Sequence, residues 1–414
     1  MSGIPAGYKK TEVGLIPADW ELRQLKTISP SQSVGLVINP STYVEDKGTV
    51  PMLVGSNIEP NRINWEQARR ISHASNKKIP ASQLNAGDLV TVRVGEPGIT
   101  AVVPQELDGC NCASVMIVRK HKSFNSHWLC YVMNSRTGLS QIENVQYGTA
   151  QKQFNISDAI NFAYVTPPLP EQEAIADALS DTDALIESLE QLLAKKRHLK
   201  QAAMQELLTG KKRLPGFCGE WEVKQLGEVA TFFKGKGLPK SALVLDGAEP
   251  CVHYGELFTR YPEVIGEIIS RTNSSGDLFR SIANDVLMPT SDVTPRGLAK
   301  ASCVTVDGVI LGGDILVIRS DVKRINGSFL SYVIRREEGQ VLQLVTGSTV
   351  FHLYGSDMKK FTFLMPPVLE QIAIVTILSD MDSEIAELET QLTKTRSLKQ
   401  GAMQKLLTGE IRLI

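Results

Sequence analysis

Pro167-Pro168-Leu169-Pro170-Glu171-Gln172-Glu173-Ala174-Ile175 opens a stretch that the chain repeats near its other end, from Pro366-Pro367-Val368-Leu369-Glu370-Gln371 onward. At an offset of 199 residues, 167–214 and 366–413 share 28 identities in 48 positions, among them Leu179-Ser180-Asp181 with Leu378-Ser379-Asp380 and Leu207-Leu208-Thr209-Gly210 with Leu406-Leu407-Thr408-Gly409. A long internal repeat makes the molecule two tandem halves, and this decides the architecture before any local feature does.

Both copies read as long helices. Ile374, Leu378, Met381, Ile385, Leu388 and Leu392 step by 4, 3, 4, 3, 4, and Ile175, Leu179, Ile186, Leu189 and Leu193 keep the same register with Thr182 in a gap. That spacing is a coiled-coil seam. Pro170 suits a first turn and Gly210 and Gly409 suit the position after a helix end, which predicts helices of about 38 residues, roughly 55 Å long. A helix that long with a narrow apolar stripe needs a partner, and each copy is the simplest partner for the other, packed antiparallel. The plainer reading is two ordinary surface helices on independent domains.

The remaining sequence falls into the same two halves. Trp20-Glu21-Leu22-Arg23-Gln24-Leu25 returns as Trp221-Glu222-Val223-Lys224-Gln225-Leu226 at an offset of 201. Each copy leads into about 140 residues of β-rich pattern. Ser114–Arg119 aligns with Asp314–Arg319 as core strands, and Leu129–Met133 with Leu330–Ile334 as a helix lying on the sheet. Segments 32–84 and 234–284 share little. A frame that is duplicated while two equivalent surfaces diverge is the layout of a reader of two different targets. The fold class expected is mixed α/β (α+β): a β-rich domain over 1–166, a long helix over 167–214, a second β-rich domain over 215–365 and a second long helix over 366–414.

With 414 residues, 42% of them hydrophobic and 21% charged, the chain can bury two cores. No stretch of 18 apolar residues occurs, and Met1–Gly14 lacks a signal-peptide core, so a cytoplasmic protein is expected. Six cysteines form no CxxC pair, and six histidines form no pair at ligand spacing; no metal site is expected. Phe233-Lys234-Gly235-Lys236-Gly237 satisfies F-x-G-x-G, but Leu238-Pro239 follow where a helix should begin, and a basic loop is the better reading. Glu222-Val223-Lys224 is an E-x-K without a preceding Pro-Asp, better read as strand. With no Walker loop and no N/D-P-P-aromatic loop, the sequence offers no convincing catalytic constellation.

What remains are basic and amide residues on the divergent segments: Arg69, Arg70, Lys77, Lys78, Arg93, Gln151, Lys152 and Gln153 in the first half, and Lys234, Lys236, Lys240, Arg296 and Lys300 in the second. Such groups contact phosphates or base edges, although each alone is an ordinary surface charge. The overall net charge of −1 gives no long-range field, and residues 1–166, with 16 basic against 13 acidic, reach only +3.

Two copies of P-P-x-x-E-Q-x-A-I, each running into a helix that ends L-L-T-G and each preceded by a variable domain led by W-E-x-x-Q-L, resemble the specificity subunit of a type I restriction–modification enzyme. The resemblance covers essentially the whole chain. It implies a non-catalytic reader of double-stranded DNA in which each recognition domain reads one half of a bipartite asymmetric site, while the two antiparallel helices set the spacer and dock two modification subunits. No cofactor is then expected on this chain; S-adenosylmethionine for adenine-N6 methylation, and ATP and Mg, belong to the modification and restriction subunits. Two other classes remain to be tested: a stand-alone methyltransferase or nuclease, which lacks its motif here, and a coiled-coil protein-binding adaptor, which explains the helices but not two unlike β-rich domains.

Overall fold

A computed structural model describes residues 4–37, 40–45, 47–149 and 151–414. The chain forms two compact units, one of residues 1–189 with 391–414 and one of residues 190–390. The units therefore cut across the linear order, since each takes a helix end that the sequence places in the other half.

In the first unit, β1 (Glu21–Gln24) pairs antiparallel with β8 (Ala163–Thr166), bringing the two ends of the β-rich segment together. Between them lie β2 (Gln32–Val34), β3 (Leu89–Val92), β4 (Val94–Gly95), β5 (Thr100–Val102), β6 (Val115–Val118), helices α1 (Ser126–Asn134) and α2 (Arg136–Val145), and β7 (Lys152–Gln153). The central sheet has the order β5-β3-β6-β2. Its strands β3 and β6 are buried on both faces, which is why they read as continuous apolar runs rather than alternating ones. Helix α1 starts where the Asn125 side chain caps the Trp128 amide, and it lays Trp128, Leu129, Val132 and Met133 into the core with Trp20 and Ile28. Helix α3 (Leu169–Leu207) follows.

The second unit repeats the plan. Strand β9 (Glu222–Gln225) pairs with β18 (Thr362–Met365). Between them come β10 (Ala230–Lys234), β11 (Val264–Ile265), β12 (Val286–Pro289), β13 (Ser291–Asp292), β14 (Ser302–Val304), β15 (Ile315–Ser320), α4 (Gly327–Arg336), α5 (Glu338–Leu344), β16 (Thr346–Gly347) and β17 (Phe351–His352). The sheet order is β10-β15-β12-β14-β11. Helix α6 (Val368–Thr408) ends the plan. The 39 and 41 residues of α3 and α6 match the length read from the repeat.

The divergent segments also fold alike. Val50–Leu53 pairs parallel with Asn111–Cys112 and antiparallel with Arg69–Ile71, and Glu249–Val252 pairs parallel with Ile310–Leu311 and antiparallel with Ser270–Thr272. The halves thus share this core pairing, while strands around it differ: the second main sheet gains β11, Leu243–Val244 adds to Ser270–Thr272, and among the described residues the first unit alone has the hairpin Ile58–Glu59/Arg62–Ile63.

The helix seam is subtler than its 4-3 spacing suggests. Ile175 and Leu179 are fully buried, but in the globular core of the first unit beside Leu406 and Leu407; Ile374 and Leu378 sit likewise in the second core beside Leu207 and Leu208. Leu189, Leu193 and Leu392 are buried further along the helices, while Ile186, Met381, Ile385 and Leu388 stay half-exposed. The first and last turns of each helix are thus core elements of a globular unit.

Each unit is closed by one buried carboxylate. Glu171, fully buried, accepts from Trp20 Nε1 at 2.8 Å and from Arg412 Nη2 at 2.7 Å, while Arg412 also holds Asp19 at 2.9 and 3.0 Å. In the second unit Glu370 accepts from Trp221 Nε1 at 3.1 Å and from Arg213 Nε and Nη2 at 2.7 and 2.8 Å. Both guanidinium groups stack 5.5 Å from the indole. The tryptophan must approach the helix end closely. Gly210 and Gly409 stand there with φ of +68° and +75°, and a Cβ on either would lie 3.3 Å from an indole carbon. The neighbouring glutamines do equivalent work: Gln172 accepts from the Asn125 amide at 2.9 Å and Gln371 from the Asn326 amide at 2.8 Å.

Removing one partner of such a buried pair leaves a charge stranded, at a cost of about 3–5 kcal/mol. Arg412→Ala is therefore expected to lower the unfolding free energy of the first unit, read by urea denaturation, by an amount of that order, and Lys405→Ala, whose side chain is exposed, to leave it unchanged. The Arg412 guanidinium also holds the Asp19 carboxyl below its ordinary value of 3.8. A depressed carboxyl adds stability that is complete above its unfolded pKa and is lost as pH falls through the folded one. The wild type should show that extra acid limb below pH 4 in a pH-resolved melting series, and Arg412→Ala should flatten it.

Candidate nucleic-acid interface

The cations singled out in the sequence divide by what already occupies them. In the second unit Lys234 pairs with Asp314 at 3.5 Å, Lys236 with Asp277, and Arg296 with Glu338 at 3.2 Å. Lys240 and Lys300 flank short 3₁₀ turns and have no ion pair among the described residues. In the first unit Lys77 and Lys78 are exposed in the last turn of the helix His73–Lys78, also without an ion pair among the described residues. Arg69 bonds the Ser41 hydroxyl at 3.2 Å.

Arg70 is used differently. It donates to the Thr49 carbonyl at 3.0 Å and lies opposite Pro51, while Arg271 donates to the Gly247 and Ala248 carbonyls at 2.6 and 2.7 Å and lies opposite Pro250. The two arginines are structural equivalents that brace the loop before a strand, and the shared Pro–Arg placement in two otherwise dissimilar segments was the signal for it.

Arg93, Gln151, Lys152 and Gln153 come together. Strand β7 pairs with β4, Phe154 donates to the Arg93 carbonyl at 3.3 Å, and the Arg93 Nε is buried without a hydrogen-bond partner. The side chains of Gln151, Lys152 and Gln153 have no hydrogen bond or ion pair among the described residues. The corresponding place in the second unit holds β13, β16 and β17 beside an open cleft of about 960 Å³ lined by Phe233, Lys234, Thr290, His352 and Tyr354.

Polar residues that the sequence matches contained, but whose role it did not reveal, form a second bracket between globular domain and helix. The Tyr131 hydroxyl donates to Asp183 at 2.7 Å with Lys399 paired to the same carboxylate; Tyr332 donates to Asp382 at 2.6 Å with Lys200 at 2.5 Å. Burial pushes both phenols well above their ordinary value. Glu263 joins the second cluster: burial works against its charge, but Arg335 and Lys200 hold its carboxyl below the usual range. These pairs recur at offsets of 199 to 201, so duplicated polar residues inside an apolar alignment were the legible sign.

The weak motifs resolve into scaffold. Glu222 and Lys224 pair with each other at 2.7 Å along β9. Gly235 in the F-x-G-x-G run lies against backbone, where a Cβ would come 2.0 Å from the Gly312 carbonyl oxygen. Cys110 and Cys112 are buried free thiols, the first pushed up to about 12 by burial. Among the described residues no cluster of histidine, cysteine or acidic side chains could hold a metal, and no helix is long and apolar enough to cross a membrane.

The type I restriction modification DNA specificity domain matches the chain twice, over residues 17–195 and 219–395. A putative type I restriction enzyme MjaX specificity subunit of Methanocaldococcus jannaschii is 23% identical across 98% of this chain and 97% of its own length. The MjaIX specificity subunit of the same organism is 20% identical across 98% and 96%. A type I restriction-modification S subunit from M. genitalium superposes with a TM-score of 0.64 at 14% identity, covering 94% of this chain and 96% of that one. A chain from a structure on complex assembly and conformational transition of the type I system gives 0.51 at 17%, covering 96% and 99%. Two tandem matches across most of the length, on a duplicated frame, place this chain in the type I restriction–modification DNA specificity family, as a non-catalytic specificity subunit.

Proposed function

We propose that this chain reads a bipartite, asymmetric site on double-stranded DNA, one half-site per globular unit, within a complex that carries two modification subunits and, for cleavage, restriction subunits. The observation that carries the reading is one frame built twice around two segments that diverge in side chains and in peripheral strands. Identical readers would recognise a symmetric site; unlike ones recognise two different half-sites. The complex acts in the cytoplasm. S-adenosylmethionine for adenine-N6 methylation is held by the modification subunits, with ATP and Mg on the restriction subunits. The coiled-coil adaptor reading leaves the two divergent β-rich domains without a purpose, and no observation favours it.

The cations take two roles. Lys77, Lys78, Lys152, Lys240 and Lys300, without an ion pair among the described residues, approach phosphates, as does Arg69 from the strand edge. Lys234, Lys236 and Arg296 must leave a carboxylate partner before they can do so, and Arg70 is committed to its loop. Each lost phosphate contact removes about one unit from the slope of log affinity against log salt. Lys77→Ala and Lys78→Ala in the assembled complex should each flatten that slope by about this amount and weaken binding to all sequences alike. Lys236→Ala should move it far less. Equal flattening by all three, measured by salt titration of duplex binding, contradicts this division.

Helices α3 and α6 set the spacer. The linker after Leu208 is a poor place to test this, because Leu208 is packed in a core and Arg213 is pinned to Glu370. Seven residues inserted after Glu190 and seven after Glu389 lengthen both helices by one heptad at equivalent points. Seven residues at 1.5 Å span about 10 Å, or about three base pairs of duplex. The methylated motif of the complex should keep both half-sites and gain about three base pairs between them. An unchanged spacer with altered half-sites would show that the helices are not the ruler.

A further inference from the structure

Most polar side chains of the duplicated frame are occupied: Gln172 and Gln371, Gln141 and Gln340, Asp88 with Arg119 and Asp285 with Arg319 all hold backbone or partner groups. One element breaks that rule in both units. After α2 and after α5 the chain turns through Gly148 and Gly347, at φ of +98° and +114°, where a Cβ would lie 2.2 Å from the Gln151 or Val350 carbonyl oxygen. Both turns thus demand glycine, and both fix the same tight ribbon. Tyr147 bonds Gln153 through both backbone groups at 2.9 Å, and Thr346 pairs with His352. Each ribbon is anchored on its other side by β4 or β13.

Along an extended segment alternate side chains share a face. Phe154 and Leu353 point inward and are fully buried. The opposite face carries Gln151, Gln153 and Asn155 in the first unit and Val350, His352 and Tyr354 in the second, position for position at the offset of 199. Val350 and Tyr354 are 44% and 53% exposed, and the His352 and Tyr354 rings stack at 6.1 Å. Gln151 and Gln153 hold no partner among the described residues, and Asn155 only accepts from the Tyr147 hydroxyl at 2.9 Å. The backbone is pinned while the outward side chains are unspent, which is what base-edge readout requires of a residue.

We propose that these two ribbons are the base readers, Gln151, Gln153 and Asn155 for one half-site and Val350, His352 and Tyr354 for the other. The proposal rests on the DNA-reading role argued above. A two-stranded ribbon enters the major groove, where a glutamine or asparagine amide matches the N6 and N7 edge of adenine in a bidentate pair and an apolar side chain meets the thymine methyl. The first ribbon therefore selects adenine at its contacted positions. The second selects thymine beneath Val350, with His352 adding a hydrogen bond to a neighbouring base edge.

The test uses the chain assembled with its modification subunits, and reads duplex binding to matched and singly mismatched sites together with the methylated motif. Gln151→Ala and Gln153→Ala should each lose roughly 5- to 150-fold of discrimination at an A·T position of one half-site, with the other half-site and the salt slope unchanged. Val350→Ala and His352→Ala should do the same in the opposite half-site. Discrimination equal to wild type at every position overturns the proposal. A uniform loss of binding to matched and scrambled duplexes also overturns it, since that marks a phosphate contact. Gln151 is exposed, so its variant reports even where Gln153→Ala disturbs the ribbon. A wild-type complex with no sequence preference would instead overturn the DNA-reading role, and that result is read on the unaltered protein.

Discussion

A carboxylate buried without solvent needs a cation beside it, and Glu171 and Glu370 receive theirs from the other repeat. Arg213 ends the first repeat and neutralises the glutamate that opens the second; Arg412 ends the second and neutralises the glutamate that opens the first. The first globular unit is built from two separate stretches of chain, and the second takes in the end of the helix that the first repeat begins. The closing contacts span 241 residues in the first unit and 157 in the second. Contacts that distant close large loops and form slowly. The same clamps seat the tryptophans, the glycine-ended helices and the first helical turns, so the position of each β-rich domain on its helices depends on them.

In the proposed reading, stability and recognition are carried by different residues. The frame spends its polar groups internally, through the Gln172 and Gln371 bonds to helix starts, the tyrosine–aspartate–lysine brackets and the Asp88–Arg119 and Asp285–Arg319 pairs. A satisfied buried network rigidifies what it joins. The proposed readers instead sit at outward positions of a backbone fixed by a glycine turn. The near-neutral net charge of −1 gives this chain no long-range field of its own to attract DNA.

Much of this was legible in the chain itself. The repeat and both helix lengths follow from 28 identities in 48 matched positions, and the core strands and the helices on the sheets from the shorter matches of Ser114–Arg119 with Asp314–Arg319 and Leu129–Met133 with Leu330–Ile334. The 4-3 pattern could not show where a helix leaves its partner to enter a globular core: Ile175 and Leu179 have the spacing of a seam and the surroundings of a core. Basic residue counts were a poor guide to the surface. Arg70 bonds a carbonyl and Lys236 an aspartate, and pairings between residues far apart in sequence leave no local mark. The shared plan of the divergent segments was hidden because strand order is set by backbone pairing, which unlike side chains can satisfy equally well.

Exchange of one reader tests the account most directly. Residues 21–166 lie between Trp20 and Glu171, so replacing them with the equivalent segment of a relative leaves the Trp20–Glu171–Arg412 clamp intact. The adenine methylome of cells carrying the chimera and its modification subunits should show a new first half-site, the original second half-site and the original spacer. A chimera that assembles with its partners and methylates, but with both half-sites changed or neither, would contradict the reading of two independent readers on one duplicated frame.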